Sequence, residues 1–375
     1  MTSHSGRRLG IAVVLTAAAL TRAPALAAQV MAGYAVAGGS VEHAGAIARA
    51  RAFIADSMAK ANVPGVSVAV AIDGEIVWSE GFGFADVEQH VPVTPLTRLR
   101  IGSVSKSLTA AAVGLLVQEG RLDLDAPVQR YVPSFPRKGH EITTRLVAGH
   151  LAGIRHYRGD EFLSQQHYDN VLAGLAIFQD DSLLSEPGTR FSYSTYAWNL
   201  VSAIVEGAAG EPFLTYMHSR VLEPLGMRHT VAEHPDSIIE YRADFYTLRD
   251  GEVINARYVD NSYKWAGGGF LSTTEDLARF GTAHLEPGFL EQATLSTLFT
   301  SQRTRDGEAT GNGIGWFVGT DDAGRDIVWH SGGSVGGTAY LILYPEQRVV
   351  VAMLANADVS FVGSARRVAG YFFAQ

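Results

Sequence analysis

Gly102-Ser103-Val104-Ser105-Lys106-Ser107-Leu108-Thr109, followed directly by Ala110-Ala111-Ala112-Val113-Gly114-Leu115-Leu116-Val117, decides how this chain folds. Residues 110–117 carry no polar side chain, so a helix here is apolar on every face and belongs in the interior. Serines at 103, 105 and 107 suit a helix entry, and Gly120 suits a left-handed C-cap after Gln118-Glu119. Ser103 and Lys106 stand three apart and share one helical face. A lysine at the mouth of a buried helix is costly to hold charged unless polar groups share its site. The Ser-x-x-Lys spacing thus puts an amine beside a hydroxyl that can become a nucleophile.

Upstream, residues 46–61 show helical spacing, with Ile47, Ala50, Ile54 and Met58 on one stripe. Residues 66–72, then Asp73-Gly74, then residues 75–78 read as a β-hairpin closed by a type I′ turn. Downstream, residues 141–225 alternate short helical runs with loops. Within them Glu186-Pro187-Gly188-Thr189-Arg190 turns and delivers Phe191-Ser192-Tyr193-Ser194-Thr195 just before a helix over 198–208. Ala266-Gly267-Gly268-Gly269 is a glycine-rich turn feeding a helix over 277–284. Strand patterns return at 315–318, 327–330, 339–344 and 349–354, and a helix from about residue 361 closes the chain. This order predicts an α+β fold, an antiparallel β-sheet built from both chain ends and flanked by N- and C-terminal helices, with a mostly α-helical domain inserted. The sheet part covers about 46–100 and 262–372, the helical part about 101–261, and the two share a cleft.

At 375 residues and 47% hydrophobic content the chain has ample material for a core. Arg7-Arg8, the apolar run 9–20 and Ala25-Leu26-Ala27 read as a signal peptide over residues 1–27, which predicts a periplasmic or secreted protein. Twelve apolar residues are too short to span a bilayer, so no stable membrane anchor is expected after cleavage. The chain has no cysteine, which excludes disulfides, thiol catalysis and cysteine metal sites. Residues 1–27 hold three arginines and no acid, so their removal takes the formal charge from -8 to -11, a poor balance for a nucleic-acid partner. Gly81-Phe82-Gly83 lacks the third glycine and following helix of a dinucleotide site, and the turn at 266–269 lacks the Gly-Lys-Ser/Thr end of a phosphate loop. His150/His156 and His229/His234, six and five apart, do not share a helical face, so surface or capping roles fit them better than a metal site. No metal and no cofactor are expected.

Three polar clusters sit where the chain turns sharply: Ser103/Lys106, Tyr193/Thr195 and His330-Ser331-Gly332-Gly333. In this order they resemble the three-motif signature of the serine β-lactamase/penicillin-binding-protein superfamily, over roughly residues 46–372. Together with Gly153-Ile154-Arg155-His156-Tyr157 they look most like its β-lactamase-related group, which holds class C β-lactamases, carboxylesterases, D-aminopeptidases and mitochondrial serine β-lactamase-like proteins. The resemblance implies Ser103 as acylated nucleophile, Lys106 as proton shuttle or charge, Tyr193 as general base and leaving-group acid, and the amides of Ser103 and Gly333 as an oxyanion hole. It also implies Thr195, His330, Ser331, Gly332, His156 and Tyr157 as substrate contacts.

A phenol works as a base only if nearby positive charge lowers its pKa, and Lys106 is expected to supply that charge. The sequence departs from the class C pattern at Thr195, where Asn is usual, and at His330, where Lys is usual. Without a fixed ammonium at 330, a substrate carboxylate is held weakly at neutral pH, and only a protonated His330 would hold it better. The expected function is therefore an exported serine hydrolase that acts through an acyl-enzyme on an ester, amide or peptide bond of a small-molecule or peptide substrate. A class C-like β-lactamase or D-Ala-D-Ala carboxypeptidase is the alternative, and a non-catalytic peptidoglycan-binding pseudoenzyme on the same fold is another. Gly332-Gly333-Ser334-Val335-Gly336 also fits the Gly-x-Ser-x-Gly elbow, but a strand pattern follows it and no histidine comes after His330.

Overall fold

The computed structural model describes Met1 and residues 40–359 and 362–373. Apart from Met1, the expected signal peptide lies outside the described residues, as does residue 361. Among the described residues no helix is long and apolar enough to cross a membrane.

The hairpin forms as its sequence dictates. Strands β1 (Gly65–Ile72) and β2 (Glu75–Asp86) join through Asp73 at φ 48° and Gly74 at φ 90°, the two positive values a type I′ turn needs. Among the described residues they lie in a seven-stranded antiparallel sheet with β3 (Val91–Pro92), β4 (Phe317–Thr320), β5 (Asp326–Ser334), β6 (Gly337–Tyr344) and β7 (Val349–Ala355). The strand order is β3-β2-β1-β7-β6-β5-β4, so the N-terminal hairpin docks directly on the C-terminal strands. Val66 opposes Ala355 and Ile72 opposes Val349 at the junction.

Both faces of this sheet are covered, and the residue sizes on them differ. Val66, Val68 and Val70 of β1, with Val349, Val351 and Met353 of β7, pack beneath helix α1 (Ala44–Ala61), whose Ile47, Ala50, Ile54 and Met58 form the expected stripe. Ala69, Ala71, Ala352 and Leu354 point the other way, into the core shared with the helical body. Period-two alternation thus divides the molecule into two cores, with small residues on the side that must accept close helix packing.

Helix α2 (Ser105–Gln118) runs through the larger core and is buried from Ser105 to Leu116. Its body has no polar face because it has no solvent face. The entry differs from expectation: a 3₁₀ turn, Gly102–Val104, precedes it, and no serine caps it. The serines bond elsewhere, Ser107 donating to the Gly315 carbonyl at 2.7 Å and Ser105 accepting from the Phe270 amide at 3.4 Å. Gly120 does take a left-handed φ of 66°. Around α2 lie α3 (Thr195–Ala209) and the short helix Trp265–Gly268, which leads through the strand Phe270–Ser272 into α4 (Thr274–Ala283). The closing helix, α5, is Ala365–Gly370.

Candidate active site

The 3₁₀ turn that carries Ser103 lies against β5, and glycine makes this possible on both sides. Gly102 has φ +47°, and a Cβ there would sit 2.6 Å from the Gly333 carbonyl oxygen and 2.9 Å from the Gly333 nitrogen. A Cβ on Gly332 would sit 2.0 Å from the Ile101 carbonyl oxygen and 3.0 Å from the Ser103 nitrogen. Turn and strand are thus in backbone contact, and the amides of Ser103 and Gly333 come next to one another. Gly333 itself faces open space, with no atom within 4 Å of where its Cβ would be. Among the described residues, β4 pairs with β5 only along residues 326–329, so residues 331–333 keep a free edge toward the cleft.

Lys106 Nζ lies 3.0 Å from Ser103 Oγ, 3.2 Å from Thr195 Oγ1 and 2.6 Å from the Gly267 carbonyl oxygen. The side chain is fully buried, and burial first, then the charge of Lys264, pulls its pKa well below the usual 10.5. A neutral amine has two N–H groups and one lone pair. Lys106 Nζ donates toward all three oxygens, and its neutral form, with one N–H fewer, frees a lone pair for the Ser103 proton.

Tyr193 sits where the sequence predicts, on the loop ahead of α3. Ser194 fixes that loop by capping α3, its Oγ accepting from the Ala197 amide at 3.0 Å and donating to the Arg155 carbonyl at 2.6 Å. The Tyr193 ring stacks between His150 at 4.3 Å and Phe317 at 6.4 Å, and its hydroxyl is hydrogen-bonded to Ser103. The expected lowering of its pKa is absent. Burial pushes the phenol above its usual 10, and its hydrogen bond with Ser103 offsets this only in part. Tyr193 keeps its proton.

His150 is no surface residue: it is 2% exposed, and its Nδ1 accepts from the Ser194 amide at 3.0 Å. His156 Nδ1 accepts from the Thr195 amide at 3.2 Å, and burial and the two lysines lower its pKa to about 4. Tyr157 packs on His156 at 4.2 Å and hydrogen-bonds Thr195 and Tyr263. His330 is 1% exposed, donates from Nδ1 to the Ser331 carbonyl at 2.6 Å, and has its pKa lowered by burial to about 3. It therefore stays neutral across the mildly acidic range in which a pH-dependent grip on carboxylates was expected. Ser103, Lys106, Tyr193, Thr195, His156 and Tyr157 form one connected cluster, and β5 brings His330, Ser331, Gly332 and Gly333 to its side.

The Beta-lactamase family model matches residues 50–371. The chain belongs to the Beta-lactamase family. Serine beta-lactamase-like protein LACTB, mitochondrial, from Homo sapiens is 34% identical over 380 residues, covering 76% of this chain and 69% of that protein. Among solved structures, the octameric penicillin-binding protein homologue from Pyrococcus abyssi superposes with a TM-score of 0.72 at 28% identity, over 83% of this chain and 73% of that one. EstCE1, a hydrolase with promiscuous acyltransferase activity, gives 0.77 at 21% identity over 89% of this chain and 100% of its own, a likeness of fold alone.

In this Beta-lactamase family member the sequence pattern leaves three contributors to the site unmarked. The Gly267 carbonyl, on the short helix Trp265–Gly268, holds the Lys106 amine. The His150 ring backs Tyr193. Lys264, 2% exposed, points its ammonium at the rings of Phe162, Tyr263 and Tyr157, at 4.4, 5.2 and 5.6 Å from their centroids. The only signal for Lys264 is its place between Tyr263 and Trp265, just before the glycine-rich turn.

Proposed function

We propose that this protein is a serine hydrolase that cleaves an ester, amide or peptide bond through an acyl-enzyme on Ser103. The observation that carries this reading is the buried amine of Lys106, 3.0 Å from Ser103 Oγ and held by Gly267 O and Thr195 Oγ1, with burial pulling its pKa well down. Lys106 takes the Ser103 proton as Oγ attacks the substrate carbonyl. The amides of Ser103 and Gly333 receive the oxyanion, an effect worth roughly 3–4 kcal/mol in such sites. Tyr193 gives its phenolic proton to the leaving group and regains one from the Lys106 ammonium. Water then enters, the same pair works in reverse, and the acid product leaves. Lys106 and Tyr193 act as one titrating unit.

A neutral His330 gives a substrate carboxylate no ion-pair partner on the strand, which supports esters, amides and peptides over β-lactams. Treatment with a fluorophosphonate probe followed by peptide mass mapping tests the nucleophile. The adduct should fall on Ser103 and vanish in Ser103→Ala; an adduct that survives this substitution overturns the reading. Export, supported by the pattern in residues 1–27, is tested separately by sequencing the mature N-terminus after expression with a bacterial export pathway. Cleavage after Ala27 supports it, and an uncleaved cytosolic product refutes it.

A further inference from the structure

Of the basic side chains around the cleft, Arg100, Arg155 and Lys106 are committed. Arg100 is paired with both Glu233 oxygens, at 2.7–3.0 Å, and donates to the Val335 carbonyl. Arg155 is paired with Glu161 and Asp181. Lys106 is hydrogen-bonded to three oxygens. Lys264 is different: among the described residues its ammonium has no carboxylate within ion-pair distance and no hydrogen-bond acceptor, only the three ring faces.

Its stem runs beside the nucleophile turn. A Cβ built on Gly268 would lie 3.7 Å from the Gly102 carbonyl carbon and 3.8 Å from Lys264 Cδ, so the missing side chain of Gly268 leaves a gap between the two. The phenols of Tyr157 and Tyr263 that face Lys264 also connect to Thr195, and hence to Lys106. The ring cage holds a cation without neutralising it, since an aromatic face attracts positive charge but accepts no proton.

We infer that Lys264 is the specificity-determining cation of this site, selecting substrates that carry an anionic group, such as a carboxylate, close to the scissile bond. The inference rests on the proposed acyl-enzyme chemistry at Ser103. Lys264 takes over the task for which His330 carries no charge. The groups that face it are Lys106, Arg100, Glu233, His156, Tyr157 and Tyr263; burial and Arg100 lower its pKa to about 7, and Glu233 pulls the other way. An arriving anion favours the protonated form, so the site acquires its charge as the substrate enters.

Three substrates test this: neutral phenyl butyrate, the mono-phenyl ester of glutaric acid with a carboxylate on the acyl part, and the butyryl ester of 3-hydroxybenzoate with one on the leaving group. The readout is the ratio of kcat/KM for each anionic ester to that for the neutral one, at pH 6.5, in wild type, Lys264→Met and Lys264→Arg. A charge-assisted contact predicts that Lys264→Met lowers at least one ratio by about 10- to 100-fold and that Lys264→Arg restores it to within about threefold. Equal losses on all three esters, or ratios that Lys264→Met leaves intact, overturn the inference while sparing the nucleophile assignment. Hydrolysis that persists in Ser103→Ala defeats the underlying reading and the inference together. Circular dichroism melts of each variant separate loss of fold from loss of selectivity.

Discussion

Two lysines are buried within one cleft, and their surroundings could hardly differ more. Lys106 lies in a nest of three oxygens, whereas Lys264 lies among three aromatic rings. Burial lowers the pKa of both. The oxygens around Lys106 hold the amine against Ser103 while burial favours its neutral form, which suits it to act as a base. The rings around Lys264 suit only a cation, so it stays close to its titration point, at about 7, and its charge remains available. Desolvation alone does not assign a role to a buried lysine; the hydrogen-bonding capacity of its neighbours does.

The largest effects should appear on the oxygen-lined side. Ser103→Ala should lower kcat by at least ~10⁴-fold, and adding Lys106→Met to it should cost almost nothing more, because residues acting as a unit are not additive. Lys106→Met alone should lower kcat by about 10²- to 10⁴-fold in steady-state ester hydrolysis. Lys106→Arg should not rescue it, since a guanidinium does not give up its proton at working pH. A rescue by arginine would mean that Lys106 acts as a fixed charge and would break the contrast between the two lysines. Tyr193→Phe should cost about 10²-fold in kcat, with a smaller loss for esters of more acidic phenols, whose departure needs less protonation.

On the ring-lined side the prediction reverses, toward stability. Lys264 has a folded-state pKa of about 7, well below the unfolded value near 10.4. The unfolded chain thus binds more protons between these values, and folding carries a penalty that is full below about pH 7 and fades as pH rises toward 10. Lys264→Met should raise the melting temperature by roughly 2–5 °C at pH 6.5, with the gain shrinking by pH 9.5. A variant that melts lower at pH 6.5 would show that the cage contributes more than the buried charge costs. The same substitution removes a charge that depresses Lys106, so the acidic limb of kcat/KM for phenyl butyrate should move to higher pH. The smallest effect concerns His330: nitrogen NMR of labelled histidines should show its Nδ1-protonated neutral ring unchanged from pH 8 down to pH 5.

The sequence made most of the frame legible because that frame rests on local patterns. Asp73-Gly74 specified a turn that needs two positive φ values, and the unbroken apolar run at 110–117 could only be buried. Ser103 and Lys106 were visible because three residues along a helix equal one turn of space. Lys264 was not, since a lone lysine is usually solvated and its cage is assembled from Phe162 and Tyr157, about a hundred residues away in the chain. The protonation of Tyr193 and His330 was likewise out of reach. It depends on how much water the finished fold excludes, and residue type or spacing does not encode that.

Under the proposed function, the free edge at residues 331–333 bears on how the site tells one extended substrate from another. A chain laid along β5 meets carbonyls and amides that repeat every two residues, and Gly332-Gly333 offers no side chain to distinguish one repeat from the next. Such an edge sets direction and depth but not register. A bound peptide can slip by two residues without losing a backbone bond, so the choice of which bond reaches Ser103 falls to contacts off the strand.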